Sequence, residues 1–229
     1  MSRDGAATGQ ATSIVEIAGV SNLILRALQY EKPLEKLKAG ENPKVTACVD
    51  FEVDRQTTAN ISSHFRTLTL GQNFRERNQA LIEYREITPA VLELILRIFH
   101  NPEDGYRTHL DLPFNLIWEL LRTIDRMLIP FDREQAKQET AFHKWFANWY
   151  ATNKDEIPEF DDPRNLFYPC YRFDHAAGFG EATKEAAYEK QGHIDEAWMA
   201  GYEDMHCPHR VIRRYAFTFV ARILLIRYS

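Results

Sequence analysis

The chain reads as an α+β fold, a compact mixed middle followed by an all-helical C-terminal part. Three observations predict it. Residues 44–53, KVTACVDFEV, are rich in β-branched residues and Phe and contain no Gly or Pro, which suits a strand. Residues 81–87, LIEYREI, alternate apolar and polar, as a strand with one buried face does. Elsewhere apolar residues recur at helical spacing, and the chain beyond residue 132 reads as helix in pieces.

Each element follows in order. Residues 1–12 are small and polar and predict a disordered lead-in. From Ser13 to Tyr30, Ile14, Ile17, Ala18, Leu25 and Leu28 recur at helical spacing, with Ser13 and Glu16 as a capping box, so a helix is expected there. Residues 44–53 form one long strand or two short ones with a turn near Asp50. A helix from about Thr57 to Leu70 would set Ile61, Phe65 and Leu68 on one face, and Gly71 is placed to end it. Thr88-Pro89 marks a helix start, a capping Thr with Pro at the first helical position. Leu92, Ile95, Leu96 and Phe99 then form a buried stripe. Residues 114–128 are strongly amphipathic through Leu116, Ile117, Leu120, Leu121, Ile124 and Leu128, and another helix spans about 132–151.

Composition narrows the function classes. The net charge is −5, from 28 Lys and Arg against 33 Asp and Glu, with no basic stripe, which argues against a nucleic-acid partner. The longest apolar stretch, residues 215–226, is interrupted by Arg222 and falls short of the roughly 20 residues a membrane span needs. Three scattered cysteines without CxxC spacing, and no apolar leader, predict a reducing compartment, cytoplasm or nucleus.

Several short stretches invite a chemical reading. His206, Cys207 and His209 lie within MHCPHRVI, and each type binds zinc or iron. A structural zinc site needs four ligands, and the distant candidates Cys170, His175 and His193 form no matching pair. The other reading is a loop entering the last helix, with Pro208 as its first residue. Ser63 and His64 are helix neighbours about 100° apart, so they do not face each other as a catalytic pair. GFGEAT, residues 178–183, follows no strand and lacks the GK[ST] ending of a phosphate loop, so Gly178 and Gly180 read as turn or close-packing glycines. Asp161/Asp162 and Glu203/Asp204 sit in polar loops, where nothing desolvates a carboxylate for acid–base work. In KWFANWY, residues 144–150, Trp145 and Trp149 share a face. They clamp the helical tail onto the mixed core or form a surface patch for a partner, and burial is the commoner fate of large aromatics.

The stretch FEVDRQTTANISSHFRTL resembles the strand-then-helix hallmark of BTB/POZ domains, which runs Phe-x-Val-His, a buried Leu, then Ser-x-x-Phe. Phe51, Val53, Ser62 and Phe65 match; Asp54 stands at the usual His and Thr58 at the usual Leu. ITPAVLELILRIFHNP and NLIWELLRTIDRMLIP, with Asp125 in the Asp position, resemble two later helices of the family, and the order holds across about residues 44–131. FDHAAGFGEATKEAAYEKQGHI and EDMHCPHRVI are similar to the region that follows BTB domains in many filamentous-fungal proteins, where Cys207 and His209 fall at the usual Leu and Pro.

The resemblance implies a small sheet flanked by α-helices, then a helical C-terminal extension. It divides the chain into residues 13–131, a BTB/POZ-like domain with its preceding helix, and residues 132–229. It implies a protein-interaction module that self-associates as a homodimer or recruits a partner, cullin-3 or a transcriptional corepressor among them. It brings no catalytic residues to carry over, no cofactor is expected, and charge and hydropathy give no reason to expect a nucleic-acid or membrane partner. The residues expected to hold the domain core are Phe51, Val53, Phe65, Leu96 and Leu120. Those expected to meet a partner are Ile14, Ile17, Leu25 and Leu28 on the N-terminal helix, with Trp145 and Trp149. The alternative from another class is a metal-dependent enzyme or metal-binding protein using His206, Cys207 and His209.

Overall fold

A computed structural model describes residues 13–31, 42–71, 80–85, 87–130, 140–155, 162–189, 201–208 and 211. It is α+β. A four-stranded sheet has the order β1-β3-β2-β4, with β1 Ser13–Glu16, β2 Leu23–Tyr30, β3 Val45–Val53 and β4 Leu81–Tyr84. The α-helices are α1 Arg55–Ile61, α2 Ser63–Leu70, α3 Pro89–His100, α4 Phe114–Arg126, α5 Ala141–Asn153, α6 Phe167–Arg172 and α7 Ala176–Glu189. The expected lead-in at 1–12 and the apolar stretch at 215–226 lie outside the described residues.

The helix expected over 13–30 is two strands. Gly19-Val20-Ser21-Asn22 interrupts the stretch, and beyond it Leu23, Leu25 and Ala27 are buried while Ile24, Arg26 and Leu28 are half-buried, a period of two. Helical spacing among Ile14, Ile17, Leu25 and Leu28 held only by counting across that turn. Leu, Ala, Arg and Gln favour helix in isolation, but β2 is hydrogen-bonded on both edges, antiparallel to β3 and parallel to β4. Ser13 and Glu16 cap nothing; they belong to β1, which runs parallel to β3. Residues 45–53 are one strand without a turn at Asp50, which instead receives a two-pronged ion pair from Arg26 at 2.7 Å on each oxygen.

The single helix expected over 57–70 is broken. Ser62 is extended (φ −160°, ψ 170°), and its hydroxyl accepts the Phe65 N–H at 3.2 Å, opening α2. Asp54 caps α1 in the same way, accepting the Thr57 N–H at 2.7 Å. Gly71 ends α2 with its N–H on the Thr67 carbonyl, in an extended conformation any residue could adopt. α3 starts where Thr88-Pro89 places it, capped by the Thr88 carbonyl, which accepts the Val91 and Leu92 N–H groups; the Thr88 side chain makes no cap bond. α4 stops at Arg126, so Leu128 lies past its end, exposed and left-handed at φ 52°. The helix expected from 132 is described only over Ala141–Asn153.

The chain divides into two compact units. Among the described residues, Leu110–Arg122 groups with those from Thr140 onward, and Thr123–Pro130 with the sheet. The reason is aromatic: Trp118 stacks on Tyr168 at 5.6 Å, and the Trp149 indole donates to the Leu112 carbonyl at 2.8 Å. In the sheet unit α3 packs on β2, β3 and α1. Phe51, Val53, Phe65 and Leu96 are fully buried there, and Leu120 is fully buried in the other unit.

Ser62→Ala should cost about 1 kcal/mol by orphaning the cap of α2, and Phe65→Ala about 3–5 kcal/mol by opening a cavity. Urea unfolding measures both. A Ser62→Ala loss near zero would mean the break between α1 and α2 does not depend on the hydroxyl.

Candidate functional site

The residues expected to meet a partner do not share a surface. Ile14 is 67% exposed on β1, Ile17 and Leu28 are half-buried, and Leu25 is wholly buried in β2. Trp145 and Trp149 are buried as well. They belong to an aromatic stack in the C-terminal unit in which Phe146 lies flat on Phe173 at 4.3 Å and Phe114 on Trp149 at 6.2 Å. Large rings stacked this way are packing, not a partner patch.

The His/Cys cluster is likewise not assembled. His206 is exposed, Cys207 is fully buried, and His209 lies outside the described residues; among the described residues no three metal-binding side chains converge. Cys170 is buried, and desolvation pushes its thiol well above the ordinary range, so it stays protonated. GFGEAT lies inside α7, so neither glycine makes a turn. His175 precedes the helix, and its Nδ1 accepts the Gly178 N–H at 3.1 Å. A Cβ on Gly178 would lie 2.6 Å from that nitrogen and 2.8 Å from the Tyr150 ring, so this glycine is required by close approach. Asp162 accepts the Arg164 N–H and pairs with its guanidinium.

What the sheet unit does hold is a cavity of about 420 Å³. Its walls come from α2 (His64), from β4 and the residues after it (Glu83, Tyr84, Arg85, Ile87), and from the last turn of α4 (Thr123, Arg126) with the residue after it (Met127). Strand alternation places Tyr84 on the same face as buried Ile82. Thr123, Arg126 and Met127 are three and four residues apart, hence neighbours on one helix face. The Tyr84 ring meets Phe65 at 6.1 Å, and the His64 ring stands edge-on to Phe65 at 5.8 Å, so one buried Phe positions both polar rings.

Two of the lining groups are uncharged near neutral pH. Burial pushes the Tyr84 phenol well above its ordinary range, so it remains a neutral donor. Desolvation, then the charge of Arg126, hold His64 below the usual imidazole value, so it is neutral near pH 7. The Tyr84 hydroxyl and His64 Nε2 are buried and have no hydrogen-bond partner among the described residues. Arg85 donates to Glu83 at 2.6 Å. Among the described lining residues there is no thiol.

In the sequence His64 stands beside Ser63, a helix neighbour it does not face, and nothing there ties it to Tyr84. Its cavity neighbour Tyr84 is on a strand twenty positions later, and only β2–β4 pairing brings that strand beside the helices. The one available signal was Tyr84 falling on the buried phase of LIEY.

His64 and His175 are both held below the 6.5 of a free imidazole by desolvation. The unfolded chain therefore takes up these protons first as pH falls. Their contribution to stability is complete above about pH 6.5 and is lost as pH drops from there through the folded-state values. The urea midpoint is expected to decline from about pH 7 to about pH 5.5, and His64→Gln to flatten that decline. A flat wild-type profile would contradict the desolvated state. No protein-family model matches the chain, and no curated protein matches it.

Proposed function

We propose that this chain is a protein-interaction module of BTB/POZ type with a fungal-type helical extension, which self-associates or recruits a protein partner. The observation that supports it most is the setting of the residues that carry the resemblance. Phe51 and Val53 end β3 with both side chains buried, and Ser62 caps a helix that buries Phe65. The two departures from the family pattern are accommodated locally. Asp54 caps α1, and Thr58, fully buried, donates its hydroxyl to the Asp54 carbonyl at 2.8 Å. Around them runs an antiparallel strand pair, two short helices, a strand parallel to β2 and then α3. This support is fold-level, and a fold of this kind does not name its partner.

Self-association cannot use the N-terminal helix face expected from sequence, because that helix is absent. The apolar side chains presented there are Ile14 and Val20, 67% and 79% exposed. A cullin-3 ligase scaffold is a partner the family permits, in cytoplasm or nucleus. Among the described residues no helix is long and apolar enough to cross a membrane.

Multi-angle light scattering of the purified chain is expected to give a dimer, and capture on immobilised cullin-3 is expected to retain it if it recruits that ligase. A folded monomer that binds no cullin-3 would leave the interaction reading without either of its two modes. Elemental analysis is expected to find no stoichiometric zinc or iron. Stoichiometric metal, lost in Cys207→Ser, would instead favour the metal-binding alternative.

A further inference from the structure

We infer that the start of α7 is a proton-operated latch, held closed by the neutral imidazole of His175 and released when that ring takes up a proton. The inference concerns the C-terminal unit alone and stands apart from the interaction reading.

The sequence makes this turn dependent on its cap. α7 opens Ala176-Ala177-Gly178-Phe179-Gly180, so two of its first five residues are glycine. Glycine is the weakest helix former after proline, and propensity alone holds such a turn poorly. A helix start leaves its first N–H groups without an intrahelical acceptor, and here the Gly178 N–H is taken by His175 Nδ1 at 3.1 Å. The missing Cβ of Gly178 is what lets the ring come that close.

The bond works in one protonation state only. A backbone N–H can only donate, so Nδ1 must carry a lone pair, and the proton of the neutral ring sits on Nε2. A second proton puts an N–H on Nδ1 as well, and two donors then face each other. The cation also lies at the positive end of the helix dipole. The groups that face the ring among the described residues are Tyr150 from α5, its ring centroid 4.6 Å away, Cys170 from α6, whose carbonyl accepts the His175 N–H at 2.8 Å, and Glu181 from α7. Asp174, next in the chain, is exposed. Burial keeps the Tyr150 phenol and the Cys170 thiol protonated. Desolvation lowers the proton affinity of His175; the charge of Glu181 opposes this and is outweighed, its carboxylate already accepting the Tyr150 hydroxyl at 2.8 Å. The latch is therefore closed above about pH 6.5 and opens as pH falls through the folded-state value. Opening loosens Phe179, which is buried and packs on Phe167 at 5.5 Å.

NMR of the full chain tests this. Long-range ¹H–¹⁵N spectra at about pH 7.5 are expected to show His175 with a bare Nδ1 and a protonated Nε2. Hydrogen exchange at the Gly178 amide, corrected for the intrinsic pH dependence of exchange, is expected to lose about fivefold in protection between about pH 7.5 and about pH 5.5. Asparagine caps helices without titrating, so His175→Asn should keep Gly178 protected at both pH values, whereas His175→Ala should lose protection at both. A proton on Nδ1 at about pH 7.5 overturns the inference. So does Gly178 protection that does not change with pH in the wild type, or a His175→Asn variant that loses protection on acidification as the wild type does. The wild-type tautomer and exchange carry the test if His175→Asn fails to fold.

Discussion

The antiparallel pairing of β2 with β3 is the constraint on which the sheet unit depends. It is the longest ladder among the described residues, from Leu23 opposite Val53 to Tyr30 opposite Val45, and the other two strands are added to its outer edges in parallel. Register matters because strand side chains alternate. A slip of one residue would turn Leu25 and Phe51 from the core to the other face. Arg26 and Asp50, directly opposite each other, pin that register. Asp50 is almost fully buried, so the pair is tight, and its fork geometry tolerates no slip. The same hydrogen bond raises the proton affinity of Arg26, so its guanidinium stays charged.

Buried polar groups in this unit are mostly settled within a turn of where they arise. Thr58 returns to Asp54, Thr69 donates to the Phe65 carbonyl, and Ser62 caps its own helix. Such local bonds let short polar side chains replace larger apolar ones without a long-range partner. Against that background the Tyr84 hydroxyl and His64 Nε2, which have no hydrogen-bond partner among the described residues, are exceptions, and both line the same cavity. The C-terminal unit uses another device, stacked rings. Arg122 lies over the Tyr202 ring at 4.1 Å and donates to the Gly201 carbonyl, fixing the loop that contains the His206/Cys207 pair.

Much of the fold was legible because it is written locally. β3 and β4 declare themselves by β-branched content and alternation, and α3 by Thr88-Pro89. The stretch 13–30 was misread because Leu, Ala and Gln carry a helical preference that two-sided strand pairing overrides, and pairing is not a local property. The corner at Ser62 was hidden because serine is tolerated both inside a helix and at its start. The grouping of the first part of α4 with the C-terminal unit is not legible in the sequence, because the helix continues without a turn and the stacking of Trp118 on Tyr168 is a long-range contact. The cavity was illegible for the same reason as the sheet: His64, Tyr84 and Arg126 are brought together by topology, not by spacing.

β1 differs from the rest of the sheet in what holds it. It is four residues long, three of them exposed, and its attachment to β3 is backbone pairing with little apolar area behind it. Its opening free energy must therefore be far below that of the β2–β3 ladder, whose side chains are sealed in the core. The amides of β1 will exchange with solvent by local fluctuation, and those of β2 only when the whole unit unfolds. The sheet is continuous in hydrogen bonding but split in cooperativity, an inner ladder that opens all at once and an outer strand that opens alone.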